Sequence, residues 1–254
     1  MNNLLRAELF KLGRNRVFWT LTVVVTVAFA LLHYLIAVGW WRMDNRFAEA
    51  GLELFASLAL ATAPFYFMQF LSTLAGYFVG NEFSIGVVKN IVMSGNRRSH
   101  IFLAKFIVLA LGSVLLVVVC PLVVIIGGKL LFGLGGMTDP SALGYLARAV
   151  GLFLVHLLAV VALLMLVALL AEDSGKTIII SVAIAVIISV AELLRPLPGM
   201  MEALYRYSIF HHLVDAFRVE MAYTDAIQSV SIGLGTLLML GLCGNLVFRW
   251  KEMK

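Results

Sequence analysis

Charge is scarce in this sequence. Asp, Glu, Lys and Arg make up 13% of its 254 residues, against about a quarter in a water-soluble domain. That scarcity excludes an ordinary soluble enzyme or binding domain. Cysteine is also scarce: Cys120 and Cys243 both sit inside apolar runs, so no disulfide framework is present. Cys120 precedes Pro121, and a small buried residue beside a helix kink explains it better than a metal ligand. No His-Glu-x-x-His, Gly-x-Ser-x-Gly or paired intramembrane aspartates occur, so no catalytic residue and no metal site is expected. The stretch AEDSGKT at 171–177 lacks the glycine that a phosphate-binding loop needs, because Leu170 stands five places before Gly175. Glu172, Asp173 and Lys176 then read as a solvated turn.

What is present is hydrocarbon. Hydrophobic residues reach 62% and the mean hydropathy is +1.02, values of a polytopic all-α membrane protein. Six runs match the length of about 20 apolar residues that a spanning helix requires. They cover about residues 17–41, 54–80, 103–126, 145–171, 177–194 and 227–248 of a single transmembrane domain, 1–254. The first run is too long for a signal-peptide core and is expected to be retained. A net charge of +5 belongs to topology and anionic lipid headgroups, not to nucleic acid. With the N-terminus inside, 12 of the 19 Lys and Arg residues fall on the cytoplasmic side, which places both termini in the cytoplasm of a cell membrane.

Three segments are not spans. Residues 2–16 set Leu5, Leu9 and Leu12 along one helical stripe, with Lys11 and Arg14 opposite, as an interfacial amphipathic helix would. Residues 195–226 open with RPLPG, a helix stop, and continue as FHHLVDAFRVEM. There Phe210, Leu213, Val214, Phe217 and Met221 share one face and His211, His212, Asp215 and Arg218 the other, giving a short outer or re-entrant helix. His211 and His212 diverge by about 100° on a helix and read as a surface pair.

The third segment is 81–102, NEFSIGVVKNIVMSGNRRSHIF, semi-polar between two membrane-length runs. Its apolar half, Ile85, Val88, Ile91 and Val92, suits a protein groove, while Arg97 and Arg98 are placed to anchor the loop at the headgroups. Inside the spans, Gln69 and Ser72 among the aromatics near Phe65, His156 in the fourth span and Glu192 near the end of the fifth are costly in lipid. They are either a translocation surface or packing glue. Gly76 and Gly80 form a small-xxx-small pattern that allows helices to approach closely.

The residues Glu82, Gly86, Arg97 or Arg98, and Lys105 make this chain resemble the ATP-binding-cassette type-2 permeases. In that family a glutamate ends the second span, a Gly-Thr helix and a basic turn follow, and a lysine opens the third span. Val87 stands here where threonine is usual, and Ser94-Gly95-Asn96 replaces the proline-bearing turn. The resemblance implies a permease that is not itself an enzyme, paired with a second copy or a homologue and driven by two separate ATPase subunits. ATP and Mg would be bound on those subunits, with no cofactor on this chain. It also makes Ser84 to Met93 the coupling helix, with Glu82, Ser84, Ile85, Gly86, Val87, Val88, Lys89, Ile91, Arg97 and Arg98 as the contact set. The cargo it implies is hydrophobic or amphipathic, such as an antimicrobial peptide or antibiotic leaving a bacterial cell. The other readings of the residues are a membrane scaffold or sensor that docks a cytoplasmic partner, and an ion-coupled secondary transporter.

Overall fold

The structure, a computed structural model, describes residues 1–37, 64–119, 140–193, 205–218 and 221–251. All regular structure in them is helical. A lipid-facing backbone has to satisfy its own hydrogen bonds, and these Leu-, Val- and Ile-rich runs do so as helices. In chain order they are α1 (Asn2–Arg14), α2 (Arg16–Ala37), α3 (Pro64–Ala75), α4 (Asn81–Ser84), α5 (Val87–Met93), α6 (Arg98–Val114), α7 (Pro140–Ala171), α8 (Ser174–Leu193), α9 (Ile209–Asp215) and α10 (Tyr223–Trp250). π-helical turns prolong α3 over Gly76–Gly80 and α6 over Leu115–Val119.

Among the described residues, four helical stretches are long and apolar enough to cross a bilayer: Arg98–Val117, Ala147–Ala171, Ser174–Glu192 and Tyr223–Trp250. The bent pair of α1 and α2 is a fifth if it is taken as one broken span. Residues 38–41 of the first expected span, 54–63 of the second and 120–126 of the third lie outside the described residues, as do Leu194, Cys120 and the RPLPG stop.

The bend between α1 and α2 is 58°, and local chemistry explains it. Asn15 leaves the helical region, and its Oδ1 accepts the backbone N–H groups of Val17 and Phe18 at 2.9 and 3.2 Å, capping α2. Trp19 Nε1 donates back to the Gly13 carbonyl at 2.7 Å. An amphipathic α1 was expected, but its buried stripe is not the expected one. Glu8 and Leu12 are buried, while Leu9 is 40% exposed. The inward face is rotated so that a carboxylate enters the bundle.

α7 is the central helix: 72% of its apolar window is buried, against 17% for α8 and 11% for α10. At about 1.5 Å per residue its 32 residues span about 48 Å, so its two ends sit in different surroundings. Its C-terminal end meets α4 and the turn into α8. Its N-terminal end meets α9 and the residues just after it, where Tyr145 Oη donates to the Phe217 carbonyl and Arg148 Nη2 to the Arg218 carbonyl, both at 2.6 Å. The expected helix reaching Met221 is in fact two turns long, Ile209–Asp215. The Ser208 hydroxyl starts it by accepting the His211 N–H at 3.2 Å. Phe210, Leu213 and Phe217 are buried as expected, with Val214 and Met221 only partly so.

Candidate functional site: the anchored segment between α3 and α6

The run that was expected to be one short helix is two, α4 and α5. Gly86 separates them at φ +72°, a left-handed conformation that glycine adopts without a Cβ penalty. Ser84 therefore ends one helix and Val87 starts the next. The hinge divides the segment into an anchored half and an open half.

Glu82 is the first anchor. The Lys11 ammonium donates to Glu82 Oε1 at 2.9 Å and to Glu8 Oε1 at 3.0 Å. The Lys105 ammonium contacts both Glu8 oxygens at 3.2 Å and also Glu82 Oε2. Two carboxylates and two ammoniums thus balance in a cluster joining α1, α4 and α6. Lys105 is 0% exposed and Glu8 2%, so these charges are removed from water, and only their mutual pairing makes that tolerable. Burial works against the Lys11 ammonium, but Glu82 and then Glu8 outweigh it and hold its pKa above the ordinary lysine value. The Lys105 ammonium also lies over the Phe78 ring, 5.8 Å from its centroid.

Ser84 is the second anchor. Its hydroxyl lies 3.0 Å from the Glu172 carbonyl and 3.3 Å from Asp173 Oδ2, at the turn joining α7 to α8. The turn is tight because Glu172 is left-handed, φ 53°. The backbone N–H of Lys176 donates to Asp173 Oδ1 at 2.9 Å. That bond above all, with the Ser84 hydroxyl, holds the Asp173 carboxyl below the usual carboxylate range. The close approach expected of Gly76 and Gly80 is seen here. A Cβ on Gly80 would lie 2.9 Å from the Asp173 carbonyl oxygen, and one on Gly76 2.9 Å from that of Ser174.

The end of α10 is the third anchor. Arg98 Nη1 donates to the carbonyls of Arg249 and Lys251, both at 2.7 Å. The Lys251 ammonium reaches Glu172 Oε1 at 2.8 Å and also meets the Leu169 carbonyl. Phe83 packs edge-on to Phe248 at 6.2 Å, and the Lys251 ammonium lies over the Phe83 ring, 5.4 Å from its centroid. Arg98, expected at the headgroups, instead satisfies orphan carbonyls at a helix C-terminus. Glu172 and Asp173, expected as a plain solvated turn, are tied to α4 and α10.

The remaining contact residues divide by face. Val88 is 1% exposed and turned into the bundle, so it offers nothing outward. Ile91 and Val92 pack partly against the same core, and Val87 is half-buried. Ile85 and Met93 are 63% and 67% exposed, and Lys89 and Arg97 are open as well. Lys89 and Met93 lie one turn apart on the outward side of α5, and Ile85 is exposed just before the Gly86 break.

The polar residues inside the helices differ in their surroundings. Phe65 lies in α3, with its side chain outside the described set. Ser72 is fully buried and its hydroxyl donates to the Gln69 carbonyl at 3.1 Å, while Gln69 is half-buried. Glu192 is exposed at the end of α8. His156 is buried on the side of α7 facing α9 and α10. Its Nδ1 is 2.8 Å from the Leu152 carbonyl, and its ring stacks on His212 at 5.7 Å. His212, expected at the surface, is only 7% exposed.

Glu8 and Lys11 were not singled out as site residues. The usable signal was spacing: Glu8 falls three residues after Leu5 and four before Leu12, on the inward stripe. Among the described residues no group of three His, Cys, Asp or Glu side chains is placed to hold a metal. The family model described as ABC-2 family transporter protein matches residues 4–192, which include most of α1, the anchors at Glu82 and Ser84, and Lys105. No curated protein matches the chain.

Proposed function

The chain belongs to the ABC-2 transporter family, and on that premise we propose that it is the permease subunit of an ATP-driven exporter whose ATPase docks on α5. The observation that carries this reading is the division of residues 81–102. One side is fixed to the bundle through Glu82, Ser84 and Arg98, while Ile85 and Met93 stand exposed on the other. A segment pinned at both ends, with exposed apolar side chains between its anchors, is suited to receive a partner and transmit its displacement.

Two separate ATPase subunits hold ATP and Mg, and this chain supplies neither a nucleotide site nor a cofactor. Their closure presses on Ile85, Lys89 and Met93. Glu82 passes that movement to α1 and α6, and Ser84 passes it to the turn between α7 and α8. Binding of the partner biases the bundle only as far as it favours one arrangement over the other. The exporter has six spans per permease, both termini in the cytoplasm of a bacterial membrane, and a second permease copy or homologue. Its cargo is a hydrophobic or amphipathic molecule such as an antimicrobial peptide or antibiotic. The exposed apolar side chains of α8 and α10, among them Ile179, Ile187, Leu238 and Leu242, suit lipid, the second permease and such a cargo.

The test is purification of the tagged full chain from its native membrane in mild detergent. A nucleotide-binding subunit should accompany it and be lost from the Ile85→Asp/Met93→Asp double variant, which still inserts. A wild-type chain that brings no nucleotide-binding subunit, or a double variant that keeps it in full, overturns the proposal.

A further inference from the structure

The far end of α7 carries a feature that ATPase coupling does not use. His212 of α9 and His156 of α7 stack face to face, 5.7 Å apart and 24° from parallel. His156 is 0% and His212 7% exposed. Both ring nitrogens of His212 are buried without a hydrogen-bond partner among the described residues. A buried polar ring with nothing to bond to is a cost the fold carries unless the ring has another use. Beside it lies a cavity of about 250 Å³, to which His212 itself contributes a wall together with Asp215, Asp225, Arg206 and Arg218.

We infer that His212 is a proton-binding site that controls whether α9 stays seated on α7 and α10. In the seated state the ring must be neutral, because an imidazolium there has no acceptor for either N–H and sits against a second imidazole. The His156 Nδ1 is committed to the Leu152 carbonyl, so that ring cannot turn to accept from His212. Its other edge faces α10, where a Cβ on Gly233 would lie 3.1 Å from Nε2 and 2.7 Å from a Val155 methyl. The packing therefore leaves no room for the stack to rearrange in place. A proton gained by His212 sends the ring into the cavity instead, where the carboxylates of Asp215 and Asp225 accept its N–H groups.

The groups that bear on this titration come from each packed element. α7 contributes Tyr145 and Arg148, and α9 contributes His211 and Asp215. α10 contributes Asp225, and the flanking chain contributes Tyr205, Arg206 and Arg218. Burial first, and then His211 with its ring 5.3 Å away, hold His212 below the ordinary imidazole value, while Asp215 pulls the other way. The sign follows from linkage. The seated state binds the proton less well than an exposed His212 does, so seating is fully favoured above the ordinary histidine pKa of about 6.5 and is lost as pH falls below it. The element that moves is small, a two-turn helix, and its ties to α7 include the His156–His212 stack and, just after the helix, the bonds from Tyr145 and Arg148 and the Phe153–Phe217 ring contact at 5.4 Å.

The experiment uses the full chain in phosphatidylcholine nanodiscs, with Cys120→Ala and Cys243→Ala. A reporter thiol is placed at the buried Ala216 (Ala216→Cys), and its alkylation rate is divided by that of the exposed Tyr223→Cys to remove the thiol's own pH dependence. One linked proton changes the opening equilibrium by up to about tenfold per pH unit. The ratio should therefore rise at least about fivefold between about pH 7.5 and about pH 5.5. His212→Phe, which keeps the stack but cannot take a proton, should hold the ratio low and flat, and His211→Gln should keep the rise. If His212→Phe does not fold, His212→Asn serves, and its ratio should also be flat. A flat ratio in the unsubstituted protein, or a full rise in a folded His212 variant, overturns the assignment. Neither result depends on whether an ATPase binds at α5.

Discussion

Lys105→Met is the most informative single perturbation of the bundle. The Lys105 ammonium is fully buried and is shared by Glu8 and Glu82. Methionine keeps most of the stem's volume, so packing against Phe78 changes little, but two carboxylates then face one remaining cation, Lys11. Removing one partner of a buried ionic cluster costs about 3–5 kcal/mol, because the other charge is left uncompensated. An exposed pair would cost only about 0.2–1 kcal/mol. The neighbouring side chains separate the two cases: Glu8 is 2% and Glu82 13% exposed, so the larger figure applies. Replacing both partners, Lys105→Met with Glu82→Gln, should recover about half of the loss, since no net charge is stranded. Equilibrium unfolding of the full chain in mixed micelles, titrated with a denaturing detergent, reads each free energy. A single variant that costs under about 1 kcal/mol, or a double variant as costly as the sum of the singles, refutes the view that these charges act as one buried cluster.

Other consequences are narrower. Gly80→Ile forces a Cβ to within 2.9 Å of the Asp173 carbonyl oxygen and should cost about 1–3 kcal/mol in the same unfolding assay. Gly86→Val meets no neighbour but sits at φ +72°. It should cost about 1–2 kcal/mol through backbone strain and weaken partner capture more than it weakens folding. Asp173 gives a pH dependence: its folded pKa is depressed below the ordinary carboxylate value, so its contribution is present above about pH 3.8 and disappears as pH falls through the folded pKa. Asp173→Asn should remove that acid-limb dependence and lower the stability at neutral pH toward the value the unsubstituted protein has at low pH, since the amide cannot supply the carboxylate's contribution.

The helices were readable because lipid leaves a long apolar run few other structures, and the turn at AEDSGKT was readable from its charges. The interruption after α3 was visible because Glu82 and Lys105 break into hydrocarbon, where a charge needs a reason. What stayed hidden depends on tertiary pairing. Glu8 looks like one more polar residue on an amphipathic helix until α6 supplies Lys105, and Leu9 looks equally suited to face inward. Ser84 meets Glu172 across 88 residues of chain, and no local pattern encodes that distance. Val88 was assigned to a partner's groove because a sequence shows that a residue is apolar, not which of two apolar surroundings it enters. His212 was misplaced for the same reason. On a two-turn helix its position beside His211 left either ring free to face inward, and His156 decided which one did.

The docking face is the central claim, and site-directed crosslinking in native membranes tests it most directly. A photo-reactive or thiol-reactive group at Met93→Cys or Ile85→Cys, in the Cys120→Ala/Cys243→Ala background, should form an adduct with a nucleotide-binding subunit, and its yield should change when ATP is added. The same group at Tyr223→Cys, beyond the other end of α7, should form none. Adducts of equal yield from Tyr223→Cys, or no adduct from either position on the docking face, would contradict the account.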